Sequence, residues 1–220
     1  MNYVYCAHRE YSFNVFKKLK RKYKNFTLID NKKKLTLSRL KKINPEFVFF
    51  PDWSWFVPEE IINNFNCICI HESDLPKFRG GSPIQNQIVR GVKKSKSTAF
   101  LMNEKLDSGK IISKKSLSLE GSLDEIFLRM EKNNFELIKN IISKKFKLSL
   151  QKGTPTYYKR RTPSQSELKD LKKSKLYIHN FIRMLSDPYP NAYIKIGKKK
   201  IIFKTSKFDG KTLSFEGVIE

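Results

Sequence analysis

Two short runs constrain this chain more than any other feature: Phe47-Val48-Phe49-Phe50 and Cys67-Ile68-Cys69-Ile70. Neither alternates apolar with polar residues, and both carry β-branched or aromatic side chains. That is the pattern of strands buried on both faces, as in a parallel sheet. Such strands need helices on each side, and helical segments stand between them. Residues 11–24 place Phe13, Val15, Phe16 and Leu19 close to helical spacing, and residues 35–43 form a basic helix stopped by Asn44-Pro45. Residues 2–7 and 26–29 read as further strands. Pro58 opens a helix with Glu59 and Glu60 in its first turn, where the helix dipole favours acids. Pro83 opens another, through about Arg90. Residues 97–102 are a strand, and Asp107-Ser108-Gly109 turns the chain into a strand near Ile111. Residues 122–143 are a long amphipathic helix, with Ile126, Met130, Phe135, Ile138 and Ile142 on or near one stripe. This alternation predicts an α/β fold built on an open, mostly parallel sheet.

The character changes after Ser149. Residues 151–169 are polar and basic and read as a linker or wandering loop, residues 173–185 as a helix stopped by Asp187-Pro188-Tyr189-Pro190. Residues 192–196, 201–204 and 213–218 read as short strands joined by turns. The expected division is a catalytic domain over residues 1–150, then a linker, helix and small β-rich subdomain over residues 151–220. The net charge of +24 rests on 45 basic residues, only nine of them Arg, and the lysines are scattered over the chain. A solvated lysine surface is the main reading, with an anionic ligand or nucleic acid the other. No apolar run approaches the ~20 residues that cross a bilayer, and the first residues lack a signal-peptide pattern. Three cysteines make no disulfide framework, so a reducing cytoplasm is the expected location.

Ligands of open parallel sheets gather at the carboxyl ends of the strands. Two segments mark that edge. Phe50-Pro51-Asp52-Trp53-Ser54-Trp55 follows one central strand. His71 ends the next and begins the loop H-E-S-D-L-P-K-F-R-G-G-S-P-I-Q. The His71 imidazole and the Asp107 carboxylate, both at strand–loop junctions, would make a proton-handling pair. In Arg79-Gly80-Gly81-Ser82-Pro83 the glycines permit positive φ, Ser82 is the expected helix cap and Pro83 the first helical residue. The same loop can approach a substrate closely, with Arg79 pairing to phosphate or carboxylate. No Cys/His cluster has metal-ligand spacing, so no metal is expected.

Together these residues resemble the folate-dependent formyltransferases. That family's site runs Asn-x-His, Ser-x-Leu-Pro, x-x-Arg-Gly-x-x-Pro and then Leu-Asp-x-Gly-x-Ile; this chain has His71, Leu75-Pro76, Arg79-Gly80, Pro83 and Leu106-Asp107-Ser108-Gly109-Lys110-Ile111. Trp53 to Pro58 resembles the family's aromatic-to-Pro element beside the pterin pocket. Tyr157 to Pro163 and Phe181 to Ala192 resemble the start of its C-terminal region. The resemblance implies a Rossmann-like formyltransferase fold with a truncated, barrel-like tail, and transfer of a formyl group from 10-formyltetrahydrofolate to a primary amine. His71 would stabilise the oxyanion and Asp107 would orient His71 and take the amine proton. Trp53, Trp55 and Asp107 would hold the folate, and Arg79, Gly80 and Gly81 the acceptor. The family Asn falls at Cys69, and loss of one oxyanion donor costs about two to three orders of magnitude in rate. Asn86, in the amide-rich string Gln85-Asn86-Gln87, is the candidate replacement.

The expected acceptor is a nucleotide-linked amino sugar, as in lipopolysaccharide or O-antigen assembly, because tRNA-acting members carry a longer chain and a complete barrel. Methionyl-tRNA is the second candidate, favoured by charge, and glycinamide ribonucleotide the third. A folate- or nucleotide-binding relative without catalysis is the alternative class. The exposed strands of a short tail make a homodimer a candidate assembly.

Overall fold

The computed structural model describes residues 1–143 and 146–220. In chain order its first elements are β1 (Asn2–Cys6), α1 (Glu10–Lys22), β2 (Phe26–Ile29), α2 (Leu37–Ile43), β3 (Pro45–Pro51), α3 (Glu59–Asn64) and β4 (Cys67–His71). There follow β5 (Arg79–Gly80), α4 (Pro83–Ile88), β6 (Lys94–Leu101), β7 (Ile111–Ser118) and α5 (Leu123–Ile142). The last third holds β8 (Tyr157–Tyr158), α6 (Lys175–Arg183), β9 (Tyr193–Ile196), β10 (Lys199–Phe208) and β11 (Leu213–Ile219).

Six strands form the main sheet in the order β2-β1-β3-β4-β6-β7. The first four run parallel, while β6 and β7 join antiparallel. The two apolar runs are the two central strands. Their alternate side chains feed opposite cores. Phe47, Phe49, Ile68 and Ile70 pack with Val15 and Leu19 of α1 and Leu137, Ile138 and Ile141 of α5. Val48, Phe50 and Cys67 pack with Leu40 of α2 and Ile61 of α3. Burying one such Phe or Ile is worth about 1.5–3 kcal/mol. The stripe on α5 is rotated slightly from expectation: Leu123, Ile126, Met130, Leu137 and Ile141 are buried, whereas Phe135 and Ile142 are only half-buried. Ser122 and Glu125 start that helix with reciprocal capping bonds.

The tail forms a three-stranded antiparallel sheet, β11-β10-β9. It does not hang free. Phe181, Ile182, Met184, Leu185, Ala192 and Phe203 share one buried cluster with Ile84 and Ile88 of α4 and Ile126 and Met130 of α5. No helix among the described residues is long and apolar enough to cross a membrane.

Candidate active site

The parallel strands β3 and β4 end side by side, with Pro51 paired to Ile70. Asp52, at φ 56°, leads the chain out of β3 toward Trp53 and Trp55. Beyond β6, Leu101 and Lys110 close a loop that carries Asp107 at φ 48°. Gly109 packs directly beneath the Leu101 carbonyl, where a Cβ would collide with the backbone, so the turn after Asp107 requires glycine.

His71 and Asp107 converge. The imidazole Nδ1 lies 3.7 Å from Asp107 Oδ2, and both side chains are about nine-tenths buried. His71 Nε2 lies 2.7 Å from the Phe78 carbonyl oxygen. That oxygen only accepts, so Nε2 carries a proton and Nδ1 is the nitrogen free to gain one facing the carboxylate. Asp107 Oδ2 also accepts the Gly80 N–H at 2.7 Å. The pair therefore sets Nδ1 of the ring facing a carboxylate oxygen.

The surrounding loops are stitched by the segment expected to wander. Arg79 N–H and Gly81 N–H donate to the carbonyls of Thr156 and Tyr158 at 2.8 Å each, forming the short β5–β8 ribbon. A Cβ on Gly80 would strike the Tyr158 carbonyl and one on Gly81 the Arg160 backbone. Residues 157–163, part of the segment that the sequence reads as a linker or wandering loop, line the cleft. Ser82 adopts φ 51° and makes no cap bond. Its hydroxyl instead accepts the Arg161 N–H at 3.1 Å.

The cleft so enclosed has a volume of about 1160 Å³, and His71, Asp107, Trp53, Trp55, Gly80 and Gly81 line it. Two expected residues do not. Arg79 is buried, with its guanidinium donating to Tyr157 Oη at 2.6 Å and Gln151 Oε1 at 2.7 Å. Gln151 Nε2 in turn donates to the carbonyls of Asp107 and Gly109 at 2.8 and 2.9 Å. Arg79 thus positions the Asp107 loop rather than facing a phosphate. Asn86 Nδ2 donates to the Gly81 carbonyl at 2.9 Å and its Oδ1 accepts from Arg90, so its amide is engaged within the loop and is not brought to His71. Gln85, one residue earlier, faces the cleft.

Cys69 shares the His71 face of β4, and burial, followed by Asp107, drives its thiol well above the ordinary range. It offers no amide at that position. Sequence reasoning gave no role to Arg9, Glu72 and Tyr189, and placed Asp52 only within the segment after β3; all four line the cleft. Arg9 pairs with Asp52 at 3.3 Å and donates to Tyr189 Oη. Burial raises Asp52 to about 6 in spite of Arg9. Glu72 is raised to about 8 by burial and then by Asp52. The only signal for Glu72 was its place in the string directly after His71.

The aromatic end of the cleft suits a flat heterocycle. Trp53 and Trp55 meet edge to face at 4.8 Å between centroids, and Phe50 stands 5.9 Å from Trp53. The Trp53 Nε1–H is buried without a hydrogen-bond partner, a donor left for an acceptor in the cleft.

Comparison with known proteins decides the family. The model of the formyl transferase family matches residues 7–140. The chain belongs to that family. A second model, described as the methionyl-tRNA formyltransferase C-terminal domain, matches residues 163–219. Methionyl-tRNA formyltransferase of Clostridium novyi is 28% identical over 186 residues, 78% of this chain and 60% of its own length. The chain thus spans about six-tenths of the curated relatives it matches. The solved structure of methionyl-tRNA formyltransferase from Clostridium thermocellum superposes with a TM-score of 0.94 at 37% identity, covering 100% of this chain and 99% of that one. A sugar N-formyltransferase from Shewanella shares the fold, with a TM-score of 0.74 at 20% identity over 96% of this chain and 99% of its own. The length argument against tRNA does not stand, because the similar Clostridium thermocellum chain is no longer than this formyl transferase.

Proposed function

We propose that this formyl transferase moves the formyl group of 10-formyltetrahydrofolate to a primary amine, with His71 and Asp107 as its catalytic pair. The observation that carries the reading is their convergence, 3.7 Å apart, in a cleft of about 1160 Å³. Clefts that enclose drug-sized ligands run to about 300–1,000 Å³, so this one has room for a pterin and the reacting end of an acceptor together. Trp53 and Trp55 would hold the pterin, and 10-formyltetrahydrofolate supplies the activated formyl carbon. Protonated at Nδ1, His71 sets a positive charge beside the oxygen on which negative charge grows. Asp107 balances that charge and accepts the proton the amine loses after attack, directly or through water. Gly80 N–H fixes the carboxylate, and the segment over residues 157–163 shields it from bulk water. In this reading residues 1–150 carry the chemistry and residues 151–220 close the cleft and meet the acceptor. Three free thiols accord with a reducing cytoplasm.

Methionyl-tRNA is the acceptor we favour. The match of residues 163–219 to a methionyl-tRNA formyltransferase C-terminal domain supports it, as do the names of the relatives and a net charge of +24 suited to a polyanion. A nucleotide-linked amino sugar is the second reading. One observation favours it: Arg9, Asp52, Glu72, Gln85 and Tyr189 make part of the cleft polar, which suits ring hydroxyls better than a thioether. Incubation with 10-formyltetrahydrofolate and each acceptor, followed by tetrahydrofolate release, separates the two. Release with methionyl-tRNA alone supports the first, release with the amino sugar alone the second, and release with neither refutes transfer.

A further inference from the structure

Alternation along β4 sends Cys67 and Cys69, and with them His71, to the α2–α3 side of the sheet, while Ile68 and Ile70 face α1 and α5. Glu72 continues the second series. Its carboxyl therefore reaches the cleft from the side of β4 opposite His71, among Tyr5 of β1, Tyr11 of α1 and Asn134 of α5. Gln87 of α4 fixes its backbone by donating to the Glu72 carbonyl at 2.6 Å. The residue is 4% exposed, and its Oε1 makes no hydrogen bond.

The charges around it do not balance. Asp52 from the end of β3 is matched by Arg9 from the β1–α1 loop, whose Nη1 also donates to Tyr189 Oη. Glu131 of α5 is held by Asn14 and Lys18. Tyr5, Tyr11, Tyr189 and Cys69 are uncharged, since burial raises each of them. An ionised Glu72 would have no ion pair of its own among the described residues: Arg9, the cation that acts on it, is already bound to Asp52. A buried carboxylate in that position is either neutral or waiting for a positive ligand. The acceptor of a formyl transfer brings one, because a primary amine in water is largely an ammonium ion and must lose a proton before its lone pair can attack.

We propose that Glu72 is a further catalytic residue, which receives the acceptor's ammonium and removes its first proton before the Asp107–His71 pair acts. The inference rests on the transfer reading given above. In the step an ammonium N–H bond breaks, a Glu72 O–H bond forms, and the nitrogen keeps the electron pair it uses against the formyl carbon. No redox change is involved. A carboxyl raised to about 8 has a proton affinity near that of the amine it serves, so the transfer runs close to level.

The test is the pH dependence of single-turnover tetrahydrofolate release by the full chain, using whichever of methionyl-tRNA and a dTDP-linked amino sugar the unaltered protein formylates. Glu72→Gln keeps the shape but cannot take a proton. It should be slower by about tenfold or more near pH 8, where the carboxylate has formed and the amine still arrives partly as ammonium, and within about threefold near pH 9.5, where the amine arrives already neutral. Glu72→Asp should restore part of the rate near pH 8. A loss equal at every pH, or no loss, overturns the inference while leaving transfer intact. No release by the unaltered protein with either acceptor overturns transfer and the inference together. A second measurement needs no variant: the ¹³C carboxyl signal of Glu72 in the unaltered protein should titrate about one unit or more lower when methionine amide is added. An unmoved midpoint overturns the inference.

Discussion

Asp107→Asn removes one charge and almost no volume, so its effect measures the electrostatic part of the proposed catalysis. In the structure Asp107 Oδ2 does two things: it accepts the Gly80 N–H at 2.7 Å and it faces His71 Nδ1 at 3.7 Å. An asparagine oxygen can keep the first contact. It cannot offer a negative charge to an imidazolium. Two unit charges at that separation attract by about 4 kcal/mol at an effective dielectric constant of ~20. Each ~1.4 kcal/mol is tenfold in rate, so the full attraction corresponds to about three orders of magnitude. Part of the charge is met in the variant by water and by the amide dipole, and a fall of roughly 10²–10³ in kcat is the expected outcome. Because the Gly80 contact and the loop survive, KM for the folate should change by less than about threefold. The assay is single-turnover release of tetrahydrofolate under saturating folate and acceptor, with circular dichroism and Tm to show that the fold is intact. A kcat within about threefold of the unaltered protein, with a normal Tm, would refute the assignment of Asp107 as the partner of His71.

Other outcomes follow from the same geometry. Gln151→Ala leaves the buried Arg79 Nη2 and the carbonyls of Asp107 and Gly109 without a partner. A loss of about 2–4 kcal/mol is expected, seen as a Tm lower by roughly 5–15 °C together with a reduced kcat; an unchanged Tm would count against this bracing role. Trp53→Ala should weaken binding of 5-formyltetrahydrofolate about tenfold by titration calorimetry while leaving kcat at saturation nearly unaltered; unchanged affinity would place the pterin elsewhere. Glu72 is raised from 4.5 to about 8 by folding. The unfolded chain therefore releases this proton first, and stability is lost as pH climbs between those values. Glu72→Gln should flatten that fall, raising Tm more at pH 8 than at pH 5 relative to the unaltered protein. An equal change at both would show that Glu72 does not titrate in this range.

The central strands and the convergence of His71 and Asp107 were legible because burial on both faces leaves a continuous apolar run, and because these two residues sit at the ends of elements the pattern already defined. The antiparallel joining of β6 and β7 was not. Residues 111–118 contain Ser113, Lys114, Lys115 and Ser116, since β7 is an edge strand with one open side, and direction of pairing leaves no mark in composition. The hydrogen-bond partners of Arg79 and Asn86 were not legible for a related reason. A residue type next to a glycine turn says that it is close to the site, not which way it points; here Tyr157 and Gln151, more than seventy residues later, claim the guanidinium. Ser82 reads as a helix cap until the backbone turns to φ 51° and gives its hydroxyl to residue 161. Glu72 looks like any loop acid in sequence, and only packing against Tyr11 and Asn134 buries it.

The most direct measurement is transfer of a radiolabelled formyl group from 10-formyltetrahydrofolate to acid-precipitable methionyl-tRNA, by the unaltered chain and by His71→Asn. The account predicts label on the tRNA with the unaltered chain and a fall of about a hundredfold or more with the variant. Equal labelling by the two proteins, or no labelling of methionyl-tRNA or of an amino sugar by the unaltered one, would contradict it.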